Sequence, residues 1–457
     1  MTIPTAIEAL KSVLGERLSL SKSDLENHGR SETYFPLTPP DAVAYPETTE
    51  EVVRIVQICA AEGCPVVPWG TGTSLEGHSL AARGGLCVDF QRMNKLLAVN
   101  TEDMDCTVQP GLTREELNTE LRHTGLFFPV DPGANAALGG MAGTRASGTT
   151  TVRYGTMRDN VMALEVVLAD GRIIRTGTRA RKSAAGYDLT GLFVGSEGTL
   201  GLITEITLRL YGQPEEIGAA VCAFPSVAEA VETVIASVQM GIPMARIEFV
   251  DAATAAAFNA YADASMPVSP HLMVEFHGTE ASVAEDAARL GALVEDFGGS
   301  GFAWSSKTED RNRLWAMRHN AYYACLGLRP GARAVVTDIS VPISRLAEAV
   351  SETRADIDAS DMTGPILGHV GDGNFHAILL VDPDDPAELS KALGVSERLA
   401  DRALRLGGTI TGEHGVGSGK LGYMDREHGA AWGVMGQIKA ALDPSGLLNP
   451  GKVVRSN

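Results

Sequence analysis

Pro68-Trp69-Gly70-Thr71-Gly72-Thr73-Ser74-Leu75-Glu76-Gly77 continues the short apolar run Pro65–Pro68. A strand that opens into glycines and hydroxyls offers a row of backbone N–H groups with no bulk above them, which suits a diphosphate. The loop is not the nicotinamide fingerprint, because Leu75 stands where GxGxxG needs its third glycine. It is not a Walker loop either, since no Gly-Lys-Ser/Thr follows. Alone, such a loop is more often a tight turn than a phosphate site.

It does not stand alone. The 50 glycines crowd into 63–85, 131–155, 186–201, 364–373 and 407–422. The second cluster runs Asp131-Pro132-Gly133-Ala134-Asn135-Ala136-Ala137-Leu138-Gly139-Gly140, then Thr144-Arg145-Ala146-Ser147-Gly148 and Tyr154-Gly155-Thr156-Met157-Arg158-Asp159-Asn160. The third is Gly195-Ser196-Glu197-Gly198-Thr199-Leu200-Gly201-Leu202-Ile203. Between the clusters, capping signals at Thr48-x-x-Glu51, Thr113-x-x-Glu116, Ser226-x-x-Glu229 and Ser282-x-x-Glu285 predict helix starts. Strands are predicted at 65–68, 86–90, 162–168, 202–210, 272–276, 335–339 and 377–381. Short strands and glycine turns give way near Pro214 to wider-spaced helices and strands. We therefore expect three segments: 1–213, 214–415 carrying a metal site, and a short 416–457 that packs back on the first.

Composition narrows the function. The chain has 457 residues, and 38 Lys+Arg against 57 Asp+Glu leave a net charge of −19, which repels nucleic acid phosphates. With 44% hydrophobic residues the chain is long enough to bury substantial cores. No apolar stretch reaches the roughly 18 residues that span a bilayer. The start lacks the apolar core of a secretory signal. The six cysteines form no CxxC pair and read as reduced core residues. Those features predict a soluble cytoplasmic protein, peripheral to a membrane at most.

The three glycine loops, in this order, resemble the FAD-binding domain of the vanillyl-alcohol oxidase / p-cresol methylhydroxylase flavoproteins, over about residues 35–213. The resemblance implies an α+β fold. A two-subdomain FAD-binding domain is joined to an α+β cap with an antiparallel sheet, and the C-terminal segment returns to the FAD domain. It sets Pro68, Trp69, Gly70, Thr71, Gly72, Thr73 and Ser74 on the pyrophosphate. It sets Pro132, Gly133, Gly139, Gly140, Thr144, Ser147, Gly148, Tyr154, Gly155, Asn160, Glu197, Gly201, Ile203 and Asn449 around the rest of the cofactor. Some members attach FAD through a histidine; His78 lies beyond that position, so non-covalent FAD is implied and His78 reads as a core or solvent histidine.

Gly368-His369-Val370-Gly371-Asp372-Gly373-Asn374-Phe375-His376 is the sharpest constellation. Asp-Gly between apolar strands predicts a two-residue hairpin turn with both residues at positive φ. Centred there, His369 falls opposite His376, close enough for two imidazoles to share one metal ion. A satisfied histidine pair on a sheet face is the ordinary alternative. Thr411-Gly412-Glu413-His414-Gly415-Val416-Gly417 favours the metal, because it adds a carboxylate and an imidazole between glycines. Two imidazoles and one carboxylate leave positions open for substrate. Glu413 is the preferred third ligand, since the adjacent His414 serves better as a base.

These two motifs together resemble the C-terminal part of the FAD-linked D-2-hydroxyacid dehydrogenases, which act on D-lactate, D-2-hydroxyglutarate or glycolate. Arg318-His319-Asn320-Ala321-Tyr322-Tyr323-Ala324, Thr337-Asp338-Ile339-Ser340-Val341-Pro342 and the tail Leu442-Asp443-Pro444-Ser445-Gly446-Leu447-Leu448-Asn449-Pro450-Gly451-Lys452 resemble the mitochondrial-type D-lactate dehydrogenases most. The resemblance implies a divalent ion, Zn or Mn, on His369, His376 and Glu413, with His414 as base. It sets Asn374 toward the substrate and Arg318 on its carboxylate, with Tyr322 four residues on along the same helix face. Hydroxyglutarate-specific relatives carry Thr where Tyr322 stands, which argues against a second substrate carboxylate.

The expected reaction is oxidation of a D-2-hydroxy acid by hydride transfer to flavin N5. Electrons then pass to a cytochrome, a quinone or an electron-transfer flavoprotein, and a homodimer is compatible. D-lactate to pyruvate is expected first, and the alternatives are a D-2-hydroxyglutarate or glycolate dehydrogenase of the same family, or a flavin oxidase using oxygen. A nicotinamide dehydrogenase lacks its fingerprint here, and a mere binding protein leaves Glu413-His414 without a task.

Overall fold

In this computed structural model, which describes residues 2–262 and 264–455, the chain divides into two compact units. The first gathers Met1–Ser147, Gly155–Gln213 and Glu413–Asn457; the second gathers Gly148–Tyr154 and Pro214–Gly412.

The first unit holds two larger sheets and a two-stranded one, in which Leu126–Phe127 pairs with Tyr211–Gly212. In a four-stranded sheet, Leu86–Asp89 lies between Ala42–Ala44 and Val66–Trp69, parallel to both. Helix Thr49–Glu62 crosses between two of these strands. Thr48 caps its start by accepting from the Glu51 N–H, and Gly63 at φ +67 ends it. Its apolar stripe of Val52, Ile55, Val56 and Cys59 is fully buried, as the 3.6-residue period requires. The second sheet is antiparallel, ordered Leu96–Asn100, Asp105–Val108, Leu202–Arg209, Val161–Val167, Ile173–Gly177. The C-terminal stretch returns to the first sheet, where Val66 N–H donates to Leu447 O at 2.9 Å and Asn449 N–H to Val66 O at 2.7 Å.

The second unit is built on an eight-stranded antiparallel sheet. Its path runs Ser300–Ser305, Glu216–Ala223, His271–Gly278, Met244–Val250, Ile366–Gly368, Asn374–Val381 and Arg333–Val336, with Ile339–Ser340 also on Asn374–Val381. Asn374–Val381 is buried along its whole length. That explains its near-continuous apolar sequence.

Two local expectations need correction. Helix Glu280–Asp296 is capped by Thr279, three residues before the expected Ser282, which sits in the first turn and closes the capping box with Thr279. Arg318 and Tyr322 do not share a helix: Thr308–His319 ends at Asn320, and Ala321–Leu326 starts a new one. All six cysteines are buried. Among the described residues, no helix is long and apolar enough to cross a membrane.

Candidate functional site

In the first unit the loop at Gly70 leaves strand Val66–Trp69. The Trp69 ring lies 4.5 Å from His28, whose imidazole is fixed by Asp89 at 2.9 Å. Gly72 has φ +73, and a Cβ there would lie 2.7 Å from the Trp69 ring, so only glycine lets the loop fold against its own tryptophan. Thr71 and Thr73 hydroxyls are 3.4 Å apart. Ser74 follows, still partly exposed.

The second cluster is pinned below this loop. Asp131 accepts from Gly133 N–H at 3.2 Å, just past Pro132. Helix Leu138–Thr144 packs Gly139 onto Pro110, whereas Gly140 and Gly143 face open space. Thr144 Oγ1 donates to Gly140 O, and Asn160 Nδ2 to Thr156 O beyond Gly155. Gly148 and Tyr154 belong to the second unit, where Tyr154 Oη meets His277 Nδ1 at 2.7 Å and His277 Nε2 meets Glu275 Oε1 at 2.7 Å.

The third cluster docks on the second: Gly195 N–H donates to Ala142 O and Glu197 N–H to Gly143 O. Gly201 packs on Val166, and Ile203 pairs with Val166 across the sheet. Gly198 combines φ +69 with a Cβ position 2.3 Å from Pro68 Cγ. Gly198→Ala should therefore push strand Val66–Trp69 and its loop aside, at a cost of about 1–3 kcal/mol. Thermal melting and FAD titration of the purified variant check this; unchanged values would show that the contact yields freely.

Glu197 lies at the centre of the unit. Its buried carboxylate accepts from Val416 N–H at 2.6 Å and Gly417 N–H at 2.8 Å, and its Oε2 lies 3.3 Å from His78 Nε2. Asn449 Nδ2 donates to Glu197 O and to His78 O, so the tail, the third cluster and the first loop meet there. The loop carrying Glu413 and His414 is held again at Glu76. The Glu76 backbone carbonyl accepts from Ser418 and Gly419, and its buried carboxylate lies 3.3 Å from Lys420 Nζ and 3.9 Å from His414 Nδ1. Burial pushes the Glu76 carboxyl up, but Lys420 and His414 outweigh that and hold it below the ordinary range. Ser147 Oγ donates to Glu413 Oε2 at 2.9 Å. Lys452, fully buried, donates to Leu80 O at 3.0 Å, and burial brings its amine down to about 8.

In the second unit the histidine hairpin differs from the expected one. Leu367, not His369, lies opposite His376. The strand stops at Gly368, where a Cβ would lie 2.4 Å from Phe375 Cα, and the chain crosses in a 3₁₀ turn, Val370–Asp372. Only Gly373, at φ +74, takes the left-handed conformation. The slip is two residues, which preserves the facing of side chains, and the two buried rings sit 5.6 Å apart. His369 Nδ1 meets Glu248 Oε1 at 2.7 Å and His376 Nδ1 meets Thr337 O at 3.1 Å. Asn374 donates to Asp338 Oδ1 and Ile339 O, and Thr411 Oγ1 donates to Asp338 Oδ2.

Arg318 is buried, and its Nε and Nη2 grip Glu248 Oε2 at 2.8 and 2.6 Å. Tyr322 packs at the edge of the apolar cluster around Trp315 and Ala324. Glu248, Glu275 and His277 escaped the sequence reading, and Glu76, Asp338 and Lys452 entered it only as members of motifs, without a role. For Glu248 a signal existed, since Arg246 and Glu248 alternate with apolar residues on one strand face, Met244–Val250.

The residues fit both groups expected here. Trp69 Nε1 and Asn449 Oδ1 are buried with no hydrogen-bond partner among the described residues, and two glycines face open space, as a polar cofactor requires. Two buried imidazoles whose Nδ1 atoms meet oxygen acceptors present Nε2 for a divalent ion.

Residues 213–453 match the family described as FAD linked oxidases, C-terminal domain, and residues 40–177 match the FAD binding domain. The chain is 50% identical to the probable mitochondrial D-lactate dehydrogenase of Danio rerio, over 99% of this chain and 92% of that one. It is 43% identical to the mitochondrial D-lactate dehydrogenase (cytochrome) of Arabidopsis thaliana, over 98% and 80%. Among solved structures, p-cresol methylhydroxylase with substrate bound shares the fold, with a TM-score of 0.80 at 18% identity over 98% of this chain and 96% of that one. The expected cytoplasmic location is corrected by these relatives, both named as mitochondrial, which points to the mitochondrion. Buried cysteines and acidic charge do not choose among reducing compartments.

Proposed function

We propose, from the premise that this chain belongs to the family of FAD-linked oxidases, that it oxidises a D-2-hydroxy acid, D-lactate first, to the 2-keto acid and passes the electrons to a cytochrome. The reading is carried by one arrangement: an imidazole pair set for a cation, tied through Glu248 to a buried guanidinium. A hydroxyl next to a carboxylate is the complement of a metal next to an arginine. The names of the relatives support D-lactate as that acid.

When bound, FAD would supply the hydride acceptor; His369 and His376, with Glu413 as the third ligand that the sequence motif implies, would hold a divalent ion, Zn or Mn, whose chemistry would be that of a Lewis acid toward the substrate hydroxyl. Arg318 binds the substrate carboxylate through the guanidinium edge that faces away from Glu248. Asn374, fixed by Asp338 and Ile339, orients the substrate through its amide oxygen, which is buried with no partner among the described residues. His414 removes the hydroxyl proton. The loops at 68–74, 132–160 and 197–203, with Asn449, hold the cofactor without a covalent bond.

An anaerobic visible spectrum tests this. D-lactate should bleach the flavin bands, whereas L-lactate and D-2-hydroxyglutarate should not. Bleaching by another hydroxy acid alone would move the substrate assignment. A colourless protein on purification would overturn the reading.

A further inference from the structure

Glu248 lies in no motif, yet three elements of the second unit converge on it. It projects from strand Met244–Val250 and has no solvent-exposed surface. Its two oxygens are divided between two partners. Oε1 faces His369 Nδ1 at 2.7 Å, from the turn after strand Ile366–Gly368. Oε2 accepts from Arg318 Nε at 2.8 Å and Nη2 at 2.6 Å, from helix Thr308–His319.

Each contact has a consequence. A carboxylate only accepts, so it holds the His369 proton on Nδ1 and directs the Nε2 lone pair away from itself. Two donors, Nε and Nη2, converging on Oε2 fix the plane of the Arg318 guanidinium and turn its other edge, Nη1 with the second Nη2 proton, away from Glu248. His376 is held differently, by the backbone carbonyl of Thr337. His369 thus takes its orientation from the side chain that also holds the arginine.

We propose that Glu248 is the positioning residue that sets the metal ligand His369 and the carboxylate clamp Arg318 in one fixed relation. This rests on the metal reading given above. The distance between hydroxyl and carboxylate in a 2-hydroxy acid is constant. A single carboxylate that orients both receptors is therefore a device for that substrate class.

Glu248→Gln keeps the volume but replaces one acceptor by a donor, so either His369 or Arg318 must turn away. Metal-stripped wild type and E248Q are titrated with Mn²⁺, with free Mn²⁺ read by electron paramagnetic resonance. The apparent KM for D-lactate is measured on both metal-loaded proteins. E248Q should bind Mn²⁺ about 10–100-fold more weakly and show at least a tenfold higher KM, while the yellow colour is retained. Equal Mn²⁺ affinity and KM in both proteins would overturn the role of Glu248 and leave the metal reading standing. A wild type that binds neither Mn²⁺ nor Zn²⁺ and turns over D-lactate in chelator would overturn both. If E248Q does not hold FAD, ¹⁵N-histidine spectra of metal-stripped wild type decide: the resonance lost in His369→Asn should be the Nδ1–H tautomer, and an Nε2–H tautomer would overturn the proposal.

Discussion

His414→Ala yields a protein that is still yellow and is no longer bleached by D-lactate. A positioned base accounts for about 10²–10⁴ in rate, so anaerobic flavin reduction should slow by that factor. The cofactor should stay because the loop around His414 is held by its backbone. Val416 and Gly417 N–H groups donate to Glu197, and Ser418 and Gly419 N–H groups to the Glu76 carbonyl. The imidazole itself makes a longer approach, 3.9 Å to Glu76 Oε1. Removing it leaves those four backbone bonds in place. Stopped-flow absorbance at the flavin band separates the outcomes: reduction at the wild-type rate would remove His414 as the base, and a colourless variant would make it part of the cofactor scaffold.

His376→Ala should stop turnover by a different route. The variant loses one of two imidazoles from a buried strand, and the remaining donors cannot hold a divalent ion at ambient concentration. Loss of an outer-shell partner alone costs 10–100-fold in affinity, and a ligand should cost more. Chelated wild type should behave the same way, and added Zn²⁺ or Mn²⁺ should restore it but not the variant. Both proteins should remain yellow, because the loop at Gly70 and the cluster at Gly195–Ile203 belong to the first unit, whereas His376 belongs to the second. Metal analysis alongside turnover is the check. A metal-free enzyme that oxidises D-lactate at the normal rate would reduce the histidine pair to a structural element of the hairpin.

The fold class was legible because it depends on features that repeat at fixed spacing. Apolar runs bounded by glycine marked the buried strands, and Thr48 and Thr113 marked helix starts through hydroxyls that cap the chain locally. The hairpin register was not legible. Asp372-Gly373 carries the local preference for a two-residue turn, but Gly368 packs on Phe375 and Gly373 on the Val341 carbonyl, and these tertiary contacts end the strand early. Asn320 breaks a helix that the 3.6-residue pattern would have continued. Glu248 was missed for a related reason: a carboxylate in an apolar strand announces burial, but only its partners, brought from residues 318 and 369, show what it does.

The return of the tail to the first sheet sets an order on biogenesis. Asn449 reaches His78 across 371 residues of chain, and the whole of Pro214–Gly412 lies between. Such a closure is entropically costly for a loose chain, and far less so once the intervening unit has folded and reduced the effective loop. On a ribosome the first glycine loop thus emerges early and waits. Val66 lacks its partners Leu447 and Asn449, and Glu197 lacks Val416 and Gly417, until the final tenth of the polypeptide appears. Flavin loading is thereby a late event, and a chain shortened by a few dozen residues at its end should be made in full view of proteases, unable to retain the cofactor whose loops it already contains.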